Sequence, residues 1–224
     1  MALQNRVTPD GSIIADPARG LLMGNRGGQM HDAERRLTGR RWVSKQWIAC
    51  SLAYKDRHET IMAPGRYTQL FFLDEATALA AGHRPCALCR RGDFLRFMGI
   101  WQRLRGLQMR PGVADVDAVL HAERVGGDRR KVTFAASLDG LPDGVMVALE
   151  HGSLRGGTAH PSAHLHVGCR LLGWSPTGYG GPVAAPPHLQ VRVLTPASIV
   201  AVIAAGYAPM LHDSARPMSA ARST

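Results

Sequence analysis

Cys86 and Cys89, three positions apart, form the pattern in this chain that is most typical of metal chemistry. This spacing lets two thiolates converge on one ion from a single turn of backbone, and zinc is an ion that such pairs hold. A redox pair and two buried structural thiols are the alternatives, although a redox motif of this kind belongs to a βαβ unit. Four cysteines in 224 residues are too few for a disulfide framework. The pair therefore predicts a zinc site in a reducing compartment.

The residues around the cysteines predict how the pair is presented. Asp74 is placed to cap a short alanine-rich helix that ends at Ala81, and Gly82 is a typical stop. A second helix is predicted from Gly92 to Leu104, because apolar residues recur there at i, i+3, i+4 and i+7. A helix before the pair, instead of a strand, argues against the redox alternative.

The segment from Phe71 to Cys89 resembles the zinc-binding N-terminal module of the Ada DNA-repair proteins. In both, an aromatic-led helix ends at glycine and runs into Arg-Pro-Cys-x-x-Cys, which here is Arg84 to Cys89. Similar modules are appended to some nucleases. The resemblance covers residues 71–89 of the chain, and it implies a zinc knuckle and a role with DNA.

The resemblance also implies two ligands upstream of the pair, where Ada proteins have two further cysteines. His58 stands near the later of those positions, whereas the earlier one falls at Tyr54, which does not bind zinc. Cys50 lies eight residues before His58 and is the obvious substitute. The implied site is a closed, structural Cys₃His set of Cys50, His58, Cys86 and Cys89. This altered set argues against the methyl-accepting chemistry of Ada.

Positive charge is concentrated in two stretches of a chain whose formal net charge is +10. Residues 26–57 contain eight Lys or Arg and three acids, and residues 84–110 contain seven Arg and one acid. Such a field attracts polyanions, above all nucleic acid, although a basic surface that only aids solubility is the alternative. The predicted nucleic-acid contacts are Arg26, Arg35, Arg36, Arg40, Arg41, Lys45, Arg90 and Arg91.

A hydrolytic centre is predicted from a group of acids beside a histidine. Phosphodiester hydrolysis needs carboxylates that hold a divalent ion, or a histidine that activates water. Asp117, His121 and Glu123 are the best such group, with Mg or Mn as the ion. Residues 118–125 fit a strand, in which His121 and Glu123 share a face, or the end of a helix. The neighbouring Arg124, Arg129, Arg130 and Lys131 could hold the scissile strand, but a solvated segment of mixed charge would look the same.

The predicted fold class is α+β. A zinc-stabilised basic part, residues 1–108, precedes a small mostly-β domain, residues 113–212, that closes with a helix after Pro196, and residues 213–224 form a disordered tail. The boundary is placed at 106–112, where the helical pattern breaks. The predicted strands cover 42–52, 67–73, 131–135, 144–150, 164–174 and 189–194, and residues 175–187 are predicted to form a loop.

The chain contains no run near the roughly 20 apolar residues that a membrane helix needs. Residues 1–16 hold no stretch typical of a signal peptide, so a cytoplasmic protein is expected, associated with the nucleoid if the source is bacterial. We predict a zinc-containing DNA endonuclease or related DNA-processing enzyme. A non-enzymatic DNA-binding or damage-response protein and an RNA-binding or RNA-modifying protein are the alternatives.

Overall fold

The computed structural model describes residues 2–55, 60–149 and 163–216. Within those ranges the chain forms two six-stranded β-sheets and four α-helices. The α+β class predicted from the sequence is confirmed.

The first sheet is built from short strands within the first 85 residues. These are β1 (Gln4–Val7), β2 (Ile13–Ala15), β3 (Leu22–Asn25), β4 (Ile48–Ser51), β5 (Leu70–Phe72) and β6 (Arg84–Pro85). They lie in the order β2-β1-β5-β3-β4-β6, with parallel pairing between β1 and β5 and between β4 and β6. Of the strand predicted over 42–52, only the end forms, because residues 43 and 44 donate their N–H groups to the loop carbonyl of Arg26.

Two helices frame the cysteine pair as predicted, α1 (Glu75–Ala80) and α2 (Arg91–Leu104). Asp74 caps α1 by accepting a hydrogen bond of 2.9 Å from the backbone N–H of Thr77. Gly82 follows α1 with a φ of +88°, a conformation that favours glycine. A Cβ at this position would lie 2.4 Å from Cδ of Arg124, so residue 82 must be glycine for two separate reasons.

The third helix, α3 (Val113–Arg124), occupies the segment for which a strand was one interpretation, and that interpretation is wrong. Val113, Val116 and Leu120 recur at helical spacing, and all three pack into one hydrophobic cluster. A strand would have placed Val113 on the face opposite to Val116 and Leu120.

The second sheet is antiparallel throughout the residues described. Its strands are β7 (Phe134–Ser137), β8 (Met146–Ala148), β9 (Ala163–Val167), β10 (Arg170–Ser175), β11 (Gly178–Ala184) and β12 (Gln190–Val193), in the order β11-β10-β9-β8-β12-β7. The loop predicted at 175–187 is wrong, because β11 pairs with β10 there. Its glycines and proline are tolerated because β11 is an edge strand.

The chain after the second sheet ends in a helix, as predicted. This helix, α4 (Ala197–Ala204), follows Pro196. Beyond it a short 3-10 helix forms at Asp213–Ala215 with Ala215 buried, so disorder does not begin at residue 213. Residues 217–224 lie outside the described part of the chain.

One hydrophobic core extends across the predicted boundary at 106–112. The segment connects α2 to α3, and side chains from both sides of it pack into a single cluster. Phe97 and Trp101 of α2 lie there with Leu120, Val193 and Ile199. The two predicted parts therefore share a core.

Candidate metal centre

Strand pairing brings Cys50 to the two cysteines of the Cys-x-x-Cys pattern. Cys50 lies on β4, and β4 pairs in parallel with β6, which ends directly before Cys86. The backbone N–H of Cys86 donates to the carbonyl of Ala49 at 2.9 Å, which places Cys86 beside Cys50. The turn to Cys89 is closed by a bond from the N–H of Arg90 to the carbonyl of Cys86.

The three Sγ atoms of Cys50, Cys86 and Cys89 lie within 4.8 Å of one another. It is the only such group of three potential ligands that residues 2–55, 60–149 and 163–216 contain. Hydrogen bonds from Cys50 and Cys89 lower the pKa of Cys86 to about 2, and the N–H of Leu88 also points to its Sγ at 3.4 Å. The pKa of Cys50 is raised because Cys50 hydrogen-bonds to Cys86, and the pKa of Cys89 is raised as well, so the cluster favours a thiolate at Cys86.

The same three cysteines line a cavity of about 780 Å³. The rest of the wall is mixed: aliphatic side chains such as Ile48 and Leu52 line it together with polar and aromatic ones, among them Arg6, Arg19, Tyr54, Tyr67 and Gln69. No aspartate or glutamate is among the described residues that line it. The guanidinium of Arg6 lies over the ring of Phe71 at 4.6 Å, so one cation is fixed in the wall.

The predicted fourth ligand, His58, lies outside the described residues. The structure therefore brings together three of the four residues of the Cys₃His set.

A buried carboxylate network connects the turn after the cysteines to the segment 207–210, which follows the last α-helix. Arg90 forms ion pairs with Glu75 at 2.8 Å and Asp93 at 2.6 Å. Glu75 also accepts hydrogen bonds from the hydroxyl of Tyr207 and the N–H of Met210. This burial corrects the prediction that Arg90 contacts nucleic acid. The guanidinium of Arg90 is buried among carboxylates.

Asp74, the residue before Glu75, makes the matching connection on the other side of α1. Its carboxylate accepts from the hydroxyl of Tyr179 at 2.8 Å and from the N–H of His212 at 3.1 Å. Burial raises the pKa of Asp74, while the N–H groups of Thr77 and His212 oppose the rise. The first turn of α1 is therefore fixed by residues more than a hundred positions away.

The remaining residues that were predicted to contact nucleic acid fall into one buried residue and six exposed ones. The prediction for Arg26 is also corrected. Arg26 is 1% exposed, and its guanidinium packs on the ring of Trp47 at 4.0 Å. The others are exposed: Arg35, Arg36, Arg40, Arg41, Lys45 and Arg91. Five of these six belong to the segment 35–45, which joins β3 to β4.

The predicted hydrolytic residues do not converge. Asp117 is buried and forms two hydrogen bonds of 2.8 Å with the guanidinium of Arg84. Glu123 accepts from the N–H and hydroxyl of Ser198, at the start of α4. Because residues 121 and 123 lie on a helix, their side chains point in different directions.

The contacts of His121 are with aromatic rings and a cation and not with either acid. Its ring centroid is 5.4 Å from that of Trp42, and its Nδ1 lies 3.3 Å from Nη2 of Arg124. Burial, and after it Arg124 and Lys45, lowers the pKa of His121. The three residues support the packing of α3 and do not form a carboxylate site for Mg or Mn.

The wall of the cavity has no counterpart among the residues predicted from the sequence. Arg6, Arg19, Tyr54, Tyr67 and Gln69 come from separate strands and loops, so no spacing within the sequence connects them. Their proximity can be recognised only when the strand order of the first sheet is known.

Comparisons of the chain with protein-family models, curated proteins and solved structures found no match. None of the described helices is long and apolar enough to cross a membrane.

Proposed function

We propose that this protein is a zinc-binding protein that acts on nucleic acid. The observation that carries the metal assignment is the convergence of Cys50, Cys86 and Cys89 within 4.8 Å. Four ligands placed tetrahedrally about zinc at bond lengths of about 2.3 Å have sulfurs about 3.8 Å apart, so the cluster needs little movement to hold the ion. Thiolate ligands favour zinc over Mg or Ca.

Support for nucleic acid comes from the exposed basic segment 35–45, with Arg35, Arg36, Arg40, Arg41 and Lys45. Only Asp32 and Glu34 provide acids near it in sequence. Exposed cations neutralise phosphates without cost to the fold, whereas buried ones such as Arg84 are already paired.

The metal proposal is tested by zinc content. The purified protein should hold close to one zinc per chain, and Cys86→Ser should lose it. Cys169→Ser is the matched control, because Cys169 is an exposed free cysteine at the turn between β9 and β10. Equal zinc content in the two variants would reject Cys86 as a ligand.

His58→Ala then distinguishes a closed site from an open one. If His58 is the fourth ligand, as proposed from the sequence, this variant should bind zinc at least tenfold more weakly than the parent. Unchanged zinc affinity, measured by competition with a chelator, would leave a three-cysteine site facing the cavity.

The nucleic-acid proposal is tested by the salt dependence of binding to single- and double-stranded DNA and to RNA. The logarithm of the binding constant should fall with the logarithm of salt concentration, by about 0.7 to 0.9 for each phosphate contacted. Replacing Arg35 and Arg36 by Gln should reduce that slope, whereas Arg103→Gln should not. Absence of binding at low salt would reject the proposal.

An enzymatic role is a second candidate, and one observation favours it: the three cysteines line a cavity of about 780 Å³. A zinc ion with three protein ligands keeps a position for water or substrate and lowers the pKa of bound water. The cavity is therefore our proposed place for hydrolysis, instead of the residues around His121. Plasmid cleavage should then be lost in Cys86→Ser and retained in His121→Ala, and the opposite pattern would restore the sequence-based site.

A further inference from the structure

A second cluster of functional groups lies where the loop before β4 meets the end of α3. Arg26 and Arg124 each place a guanidinium over the ring of Trp47, at 4.0 and 4.1 Å. Both arginines are 1% exposed. Lys131 lies beside them, and together with Arg41, Arg129 and Arg130 they line one small cavity. We call Arg26, Arg124 and Lys131 the inner cations.

The inner cations are bonded to backbone carbonyl groups and not to carboxylates. Arg26 donates to the carbonyl of Gly11 at 2.8 Å, and Arg124 donates to those of Gly82 and Lys45 at 2.6 Å each. Lys131 donates to the carbonyl of Ala80. Within the described ranges none of the three forms an ion pair, although seven ion pairs occur elsewhere.

Nearby acids do not offset this charge. Asp10 lines the same cavity without approaching to ion-pair distance of an inner cation, and Asp117 is taken up by Arg84. Two buried nitrogen atoms beside the inner cations, Nε of Arg124 and Nδ1 of His83, have no hydrogen-bond partner in the described structure. Buried cations without a charged partner are costly, and an anion nearby would offset part of that cost by electrostatic attraction.

Burial disfavours the charged form of each inner cation. Burial lowers the pKa of Arg26 and of Arg124 to about 9. It lowers that of Lys131 to about 7, with further lowering from Arg124 and Arg26. Like charges are thus held together in a desolvated place, which is typical of functional sites.

An open cavity of about 270 Å³ lies next to the inner one and shares three of its lining residues, Arg41, Trp42 and Arg129. Arg40 lines it as well. Arg41 donates to the carbonyl of Arg129 at 2.9 Å, which fixes the two sides of this outer cavity against each other. The inner cavity, about 10 Å³, has room for about one water, so an anion of polyatomic size must lie in the outer one.

We propose that the outer cavity binds a phosphate group, contacted by Arg40, Arg41 and Arg129 and attracted by the inner cations behind them. Guanidinium groups match the geometry of phosphate oxygens and remain charged at neutral pH. The half-buried ring of Trp42 forms the wall beside the phosphate and offers a surface on which a base can stack. The phosphate is therefore assigned to a nucleic-acid strand, and this source, though not the anion site itself, rests on the proposed function.

The test compares the zinc-loaded parent with two double variants of equal charge. Arg41→Gln with Arg129→Gln removes two contacts of the outer cavity. Arg103→Gln with Arg110→Gln is the control, because both are exposed and neither lines either cavity. The readouts are the thermal midpoint in inorganic phosphate against chloride at equal ionic strength, and the anisotropy of a labelled single-stranded oligonucleotide.

Inorganic phosphate should raise the midpoint of the parent and of the control variant, and raise it less in the cavity variant. Oligonucleotide affinity should fall about tenfold or more in the cavity variant only, with a salt slope lower by about 1 to 2. Equal phosphate stabilisation in all three proteins, or none in the parent, would overturn the site.

The two readouts, phosphate stabilisation and oligonucleotide affinity, distinguish failure of the anion site from failure of the proposed function. A cavity variant that loses phosphate stabilisation, with a parent that binds no oligonucleotide, would support the anion site and reject the nucleic-acid function. A cavity variant that binds oligonucleotide as tightly as the control would support the function and overturn this site.

Discussion

The two sheets of this protein differ in the polarity of the side chains that are buried around them. Around the first sheet, many buried side chains are polar or charged, including Arg26, His31, Gln69, His83 and Arg84. The second sheet has few, and its strands bury Val147, Leu165, Leu171 and Val193. The three cysteines and the inner cations all lie at the first sheet or against it.

The first sheet therefore depends for its stability on ion pairs, hydrogen bonds and the cysteine cluster as well as on apolar contacts. Strands of two to four residues, as in the first sheet, bury little apolar area each. Their positions depend on directed interactions such as the Arg84–Asp117 pair and the cysteine cluster. We therefore expect the first sheet to respond to metal, anions and charge substitutions, and the second to respond to changes in side-chain volume.

Removal of the proposed zinc should give the largest difference between the sheets. Zinc binding to sulfur-rich sites contributes on the order of 10 kcal/mol in small zinc domains, so its loss should open the β4–β6 edge. Hydrogen exchange after chelation should rise by more than a hundredfold at Cys86, whose N–H bonds to Ala49. Amides of β9 and β10 should change far less, and equal acceleration in both sheets would contradict the comparison.

Asp117→Ala should produce the next largest effect, a loss of about 3 to 5 kcal/mol in the free energy of unfolding. The substitution leaves the buried guanidinium of Arg84 without its partner. Chemical denaturation measures the change, with Asp128→Ala as the control, since its pair with Arg130 is exposed and should contribute less than about 1 kcal/mol. A small effect from Asp117→Ala would mean that the buried pair is dispensable.

Gly82→Ala tests the contact between the end of α1 and α3, and we expect its effect on stability to be intermediate in size. Both the φ of +88° and the 2.4 Å approach to Arg124 oppose a side chain here, and we expect a loss of about 2 to 4 kcal/mol. Gly206→Ala is a matched control at the end of α4, with a φ of +100° and open space around its Cβ position. The difference between the two midpoints isolates the Arg124 contact, and equal losses would show that only backbone conformation matters.

The smallest expected effect is a pH dependence that comes from Lys131. Its pKa is about 7 in the fold, against 10.5 ordinarily, because burial and then Arg124 and Arg26 disfavour its charge. Between those values the unfolded chain binds a proton that the folded chain lacks, so the free energy of unfolding should rise with pH. Denaturation between pH 7 and 8.5 should show a shallower rise in Lys131→Met than in the parent. Identical slopes would mean that Lys131 is not desolvated.

The sequence was sufficient where structure is local. The Asp74 cap, the stop at Gly82 and helix α2 follow from residues within one or two turns of each other. The grouping of Cys50 with Cys86 and Cys89 was predicted through the Ada resemblance, and the pairing of β4 with β6 is its physical cause.

The sequence was insufficient where a side chain's surroundings come from distant positions. Counting charge treats every arginine as a surface group, yet Arg26, Arg84, Arg90 and Arg124 are buried. Their partners are an indole, carbonyl groups and carboxylates supplied by other segments. Likewise, His121 and Glu123 looked like one site only while residues 118–125 were considered as a strand.

The two carboxylates at the start of α1 have a consequence for how the protein is made. Asp74 and Glu75 accept hydrogen bonds from Tyr179, Tyr207, Met210 and His212, residues that leave the ribosome long after the cysteines do. Until those partners arrive, two acids destined for burial stay hydrated, and the segment that positions Cys86 lacks its support. We therefore expect residues 71–89 to reach their final arrangement only after residues 179–212 have been synthesised, well after Cys50, Cys86 and Cys89 themselves.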